Sequence, residues 1–258
     1  MLAIAQPCAA INIVLDYTYD SFFATHLTAK NTLTTAAQDL SNAITTSLGA
    51  TSDTSSGTSG TATTTFDFSY SIQNPSNAAT VTIDPAVLPA NQIRIYVGVQ
   101  NVTGSELGEG GPGGIGLNGS ISYGNLNDAH SSVLAASAAG TANQGRGAGP
   151  VINRISGSFQ NVANTSFTVN YGSTLGNIWF DVDSNNDGVI DSDPVLNSYW
   201  QFDKNSPMGP SQNDFYSVAL HEMMHAIGFG ESLSWNSLVS GSQNWLGSQV
   251  IALEGNGN

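Results

Sequence analysis

Two of the four histidines stand four residues apart in His221-Glu222-Met223-Met224-His225, and a glycine follows at Gly228. Residues four apart lie on one face of an α-helix, so a helix here presents both imidazoles to the same point in space. Upstream, Ser211 and Asp214 have the spacing of a capping box. Phe215, Val218, Ala219, Ala226 and Phe229 supply the apolar positions of a helix laid on a core. Gly228 supplies the stop.

The rest of the chain switches between two periods. Residues 11–17 alternate like a sheet strand, and in residues 28–48 Leu33, Ala37, Leu40, Ile44 and Leu48 form one helical stripe. A strand followed by a long amphipathic helix suggests stacked layers of sheet and helix. Further strands are expected at 63–72, 80–83, 93–99, 152–160, 166–171 and 177–181. Residues 51–65, rich in Ser, Thr and Gly, read as a mobile surface loop. Residues 101–150, dominated by Gly, Asn, Ser and Ala, read as irregular with one short helix near 131–139. With no internal repeat evident, residues 11–258 are expected to form one domain.

Charge narrows the partners. Only 9% of residues are charged, 5 basic against 19 acidic, for a net charge of -14. Without a basic patch to meet phosphates, neither a nucleic-acid partner nor docking on anionic lipid is expected. No run of about 18 apolar residues exists, so no membrane span is expected. The single cysteine, Cys8, rules out an internal disulfide framework. Scarce lysine and arginine with clustered aspartate fit an exported bacterial protein, secreted or at the cell surface, that relies on calcium rather than disulfides. Residues 1–10, with small residues at Cys8-Ala9-Ala10, are expected to be a signal-peptide remnant or a disordered terminus. The other end, Glu254-Gly255-Asn256-Gly257-Asn258, reads as a loop.

The histidine helix has the spacing of a zinc site. His221 and His225 are the expected zinc ligands, and three protein ligands plus one water make an open tetrahedral centre. Bound Zn²⁺ lowers the water pKa from 15.7 to about 7. Glu222, beside a ligand, is the expected general base for attack of that water on a carbonyl.

His221-Glu222-x-x-His225-x-x-Gly228 resembles the first part of the metzincin zinc motif. The continuation Gly228-Phe229-Gly230-Glu231-Ser232-Leu233-Ser234-Trp235 is similar to matrixin-like and leishmanolysin-like bacterial metalloproteases. Two further stretches carry the resemblance: Leu107–Gly114, like the Gly-Pro-Gly-Gly loop before the late strands of matrixin-like domains, and Asn177-Ile178-Trp179-Phe180-Asp181-Val182-Asp183, like their Phe-Asp-x-Asp strand end. The resemblance implies an α+β, zincin/metzincin-like catalytic domain: a twisted mixed sheet, an N-terminal backing helix and an active-site helix. It also implies a zinc endopeptidase whose protein or peptide substrate adds as a strand along the edge of the cleft.

The family's third histidine would fall at 231, where this chain has Glu231, and no His or Met follows His225. The third ligand therefore stays open among Glu231, Glu254 and a histidine beyond Asn258. His26 and His130 are too far from the motif to rank.

A second metal is expected in Asp183-Ser184-Asn185-Asn186-Asp187-Gly188-Val189-Ile190-Asp191-Ser192-Asp193. Read from Asp183, oxygen side chains fall at loop positions 1, 3, 5 and 9, with Gly188 at 6, in the order of a calcium loop. Position 12 is Pro194, so Asp193 is the expected substitute ligand beside Asp183, Asn185, Asp187 and Asp191. The rival to the enzyme is a non-catalytic extracellular calcium-binding surface or adhesion module with a vestigial zinc site.

Overall fold

The computed structural model describes residues 11–84 and 87–239. In chain order the elements are β1 (Asn12–Asp16), α1 (Phe22–Thr25), α2 (Leu27–Ala43), β2 (Thr54–Ser59), β3 (Ala62–Gln73) and β4 (Thr80–Ile83). Then come β5 (Gln92–Gln100), β6 (Gly108–Pro112), β7 (Gly114–Ser122), α3 (Leu126–Gln144), β8 (Val151–Phe159), β9 (Thr165–Gly172) and β10 (Leu175–Asp181). The described chain ends with α4 (Asp193–Tyr199), β11 (Trp200–Gln201), β12 (Asn213–Asp214), α5 (Phe215–Ala226) and α6 (Leu233–Asn236). The architecture is mixed α+β.

The sheet that positions the histidine helix has the order β1-β5-β10-β6. β1, β5 and β10 run parallel, and β6 pairs antiparallel to β10 at the edge. β10 is buried along its whole length and β5 from Ile95 to Val99, as expected for parallel strands covered on both sides. One face carries Ile93, Ile95, Val97, Ile178 and Phe180 against Leu33 and Ala36 of α2 and Phe215, Ala219 and Met223 of α5. On the other face Tyr96 and Leu175 join Tyr70 and Ile72 of β3 in a second cluster. β3 belongs to a separate antiparallel sheet with β2, β4 and β7, and β8 pairs with β9.

Two expected irregular regions are ordered. Residues 51–65 hold β2 and the start of β3 rather than a mobile loop. Gly57 explains why no apolar pattern marks β2: a Cβ there would lie 2.2 Å from the backbone nitrogen of Ala136, so α3 rests directly on the strand. Residues 101–150 hold β6, β7 and the full length of α3. The buried face of α3 is small (Ala129, Ser132, Val133, Ala136, Ser137 and Gly140), so it lacks the bulky stripe that signals a packed helix. Its N-cap is Asn125, whose side chain accepts from the Asp128 amide at 2.9 Å. The backing helix ends at Ala43, short of the expected 48; Leu48 instead bridges to Gly147.

No helix among the described residues is long and apolar enough to cross a membrane. The proposed leader remnant at 1–10 and the segment holding Trp245 and Glu254 lie outside the described residues.

Candidate metal centre

α5 starts at an N-cap that differs from the expected box. Asp214 itself caps, accepting from the Tyr216 amide at 3.1 Å, while Ser211 lies in the preceding turn. The helix ends where expected. The Gly228 amide donates to the His225 carbonyl at 2.8 Å, and Gly228 has φ +107°. That left-handed conformation favours glycine, and a Cβ there would also lie 2.3 Å from Ile152 Cδ1.

Phe215, Ala219, Met223 and Ala226 face the core, which turns His221 outward and leaves His225 half-buried. Their Nε2 atoms stand 3.0 Å apart. Two nitrogens on one tetrahedral zinc, each about 2.0–2.1 Å from it, are about 3.3 Å apart, so the pair is close to ligand geometry. His225 Nδ1 lies 2.8 Å from the Phe229 carbonyl oxygen. A carbonyl only accepts, so Nδ1 carries the proton and Nε2 presents its lone pair; this is the outer contact that fixes a metal-binding imidazole. The donor set thus fits two ligands of a zinc ion.

Glu222 is buried on the same turn, where α5 runs beneath β6. The approach depends on two glycines on one face of that strand. A Cβ on Gly110 would lie 2.4 Å from the Glu222 carbonyl oxygen, and one on Gly108 3.3 Å from Glu222 Cγ. Burial pushes the Glu222 carboxyl up to about 7; His225 opposes the shift, and Glu109, Glu106 and Glu231 add to it. Glu109, although exposed, is also raised, first by partial desolvation of its carboxyl and then by Glu106 and Glu231. Glu106 and Glu109 were missed from the sequence, where Gly108–Gly114 read as a loop. The alternation Gly108-Glu109-Gly110, with strand period, was the available signal.

The Glu231 carboxylate lies beside β6, with Oε2 3.7 Å from where a Cβ on Gly111 would be. Among the described residues no group of three or more His, Cys, Asp and Glu side chains converges to hold a metal ion. Glu254 is outside those residues.

Two clefts open along β6. One, of about 410 Å³, is lined by Glu106, Leu107, Gly108, Val218, His221 and Glu222. The other, of about 300 Å³, includes Ser71, Thr80, Glu109, Gly111, Asn177 and Glu231.

The acidic segment between β10 and α4 folds on itself. Asp183, buried, accepts the amides of Asp187 at 3.0 Å and Gly188 at 2.7 Å. Asp191 accepts the Ser184 amide at 2.8 Å, and Asn185 donates to Asp187 at 3.0 Å. Gly188 makes the turn at φ +85°. Asp193 leaves the group, contrary to the expected ligand set: it starts α4 and pairs with His26 Nε2 at 3.2 Å. Acid in the first turn of a helix is favoured by the helix dipole, which suits Asp193 at the start of α4. Trp179 and Trp200 are core residues, and Trp235 packs on Phe229 at 4.3 Å.

Comparison with protein-family models, with curated proteins and with solved structures finds no match.

Proposed function

We propose that this chain is a zinc endopeptidase of metzincin type, exported by a bacterium. One observation carries the reading: two imidazole Nε2 atoms converge at 3.0 Å, beside a buried glutamate, beneath an edge strand. The mixed sheet, with α2 and α5 on one face and an antiparallel edge strand over α5, supports the metzincin-like form of the fold.

His221 and His225 hold the metal. Bound zinc supplies a Lewis acid for the scissile carbonyl and makes water a nucleophile at neutral pH. Glu222 takes a proton from the attacking water and delivers it to the departing amine. Its burial suits that role, because a carboxyl that titrates near neutrality both accepts and returns a proton. Among the described residues β6 ends its sheet, so an extended peptide adds to its outer edge by backbone hydrogen bonds and sets its carbonyl beside the dyad. Glu231 lines the neighbouring polar cleft, and a third ligand would complete the centre. The acidic loop is assigned a calcium ion held by Asp183, Asn185, Asp187 and Asp191, which keeps the end of β10 in place.

Glu222→Gln tests the assignment. The variant should keep its zinc and lose about 10²–10⁴-fold in hydrolysis of denatured protein, while His225→Ala should lose the zinc. Substantial turnover in Glu222→Gln would refute the base. Absence of tight zinc from the wild-type chain, with calcium bound, would favour the adhesion-module reading.

A further inference from the structure

The two clefts along β6 differ in chemistry, and the difference points to a substrate class. This inference rests on the peptidase reading above and deepens it. The cleft at the beginning of β6 is mainly apolar, with Leu107 and Val218 as walls and Glu106 at its rim. The cleft at the other end is polar and includes Ser71, Thr80, Asn177, Glu109 and Glu231. Glu106, Glu109 and Glu231 are all exposed. The ion pairs among the described residues join His26 to Asp193, Arg94 to Asp16 and Lys204 to Asp39, so none neutralises these three carboxylates. The two in the polar cleft come from elements far apart in the chain. Glu109 stands on the edge strand, and Glu231 follows the helix stop at Gly228. The tertiary fold sets both over one opening.

β6 itself is the docking element. Among the described residues no strand pairs with its outer edge, and its Gly-rich sequence leaves few bulky side chains to block a second strand. A peptide added along it passes both clefts, with alternate side chains directed toward its walls. Like charges of a substrate in the Glu109–Glu231 cleft would be repelled, and a long cationic side chain would reach both carboxylates while its methylenes lie along Gly111.

We propose that the site selects extended cationic peptides, with a Lys or Arg side chain in the Glu109–Glu231 cleft and an apolar side chain in the Leu107–Val218 cleft. Glu109 and Glu231 are the specificity-determining residues.

Binding to the Glu222→Gln protein tests this without requiring turnover. The probes are two fluorescent decapeptides with the same apolar residue and a single Lys or Glu at the position meant for the polar cleft. The Lys peptide should bind about tenfold more tightly at 50 mM salt, and the gap should shrink at 500 mM as the charges are screened. Adding Glu109→Gln and Glu231→Gln should remove the preference. Asp67→Asn, which deletes the same charge from the middle of β3 outside both clefts, should retain it. Equal binding of the two peptides, or a preference that Asp67→Asn removes as effectively as the cleft variants, overturns the proposal. Cleavage of both peptides by the wild-type protein with equal efficiency overturns the specificity and leaves the peptidase standing. Selective binding of the Lys peptide with no cleavage by zinc-loaded wild type supports the cleft assignment and sinks the peptidase.

Discussion

Replacing Gly110 by alanine should destabilise the fold by about 2 kcal/mol, whereas the same change at Gly111 should not destabilise it. At 110 the new Cβ would lie 2.4 Å from the Glu222 carbonyl oxygen, 3.0 Å from its carbonyl carbon and 3.1 Å from its Cα. All three are helix backbone atoms, so no rotamer change relieves the contact. β6 and α5 must part by about 1 Å to restore van der Waals separation, and overpacking of that kind costs about 1–3 kcal/mol. At 111 the Cβ meets only Glu231 Oε2, at the ordinary distance of 3.7 Å and on a flexible side chain. There the loss of unfolded-chain freedom favours the folded state by about 0.4–1 kcal/mol. The two variants should therefore differ by about 2–3 kcal/mol. A domain of this size shifts by about 2–4 °C per kcal/mol, so the midpoints should stand roughly 5–10 °C apart. Thermal melts should be recorded by circular dichroism in EDTA, because bound metal raises the midpoint by mass action. Coincident midpoints, or a lower one for Gly111→Ala, would show that the glycines of β6 do not set the helix–strand distance.

Two further outcomes are expected. The Glu222 carboxyl is held at about 7 against an ordinary 4.5, so the folded state binds its proton more tightly than the unfolded chain. That contribution to stability is complete below about pH 4.5 and is lost as pH rises through 7. Urea midpoints of the metal-free protein should show up to about 3 kcal/mol of loss from this group between pH 5 and 8; Glu222→Gln should lack that component, and an unchanged pH profile in the variant would refute the burial argument. Calcium at about 100 times its dissociation constant should stabilise the chain by about 2.7 kcal/mol. Asp183→Asn should lose most of that gain, while calorimetry showing neither heat nor stabilisation of the wild type would remove the calcium assignment.

Much of the fold was legible where large apolar residues alternate. The strands expected at 63–72, 80–83, 93–99, 152–160, 166–171 and 177–181 correspond to β3, β4, β5, β8, β9 and β10, with shifts of a residue or two at the ends. β2 escaped, and only the middle of α3 was legible, as the short helix near 131–139, because the two pack on each other through glycine, alanine and serine. Ser55 of β2 donates to the Ala136 carbonyl at 3.2 Å, and Gly57 admits the helix backbone. Burial there comes from close approach rather than from bulk, which leaves no hydrophobic period to read.

By itself the sequence determined the features that local geometry dictates. Four residues of helix put His221 and His225 on one face, Gly228 ended the helix, and Gly188 set the turn of the acidic loop. Such features depend on backbone period and steric freedom over a few residues. Only the tertiary structure decided what surrounds them. It buried Glu222 under β6, brought Glu106, Glu109 and Glu231 around it, and sent Asp193 to His26 instead of the loop. Desolvation and charge–charge coupling depend on which distant segments pack together, and spacing along the chain carries no record of that distance.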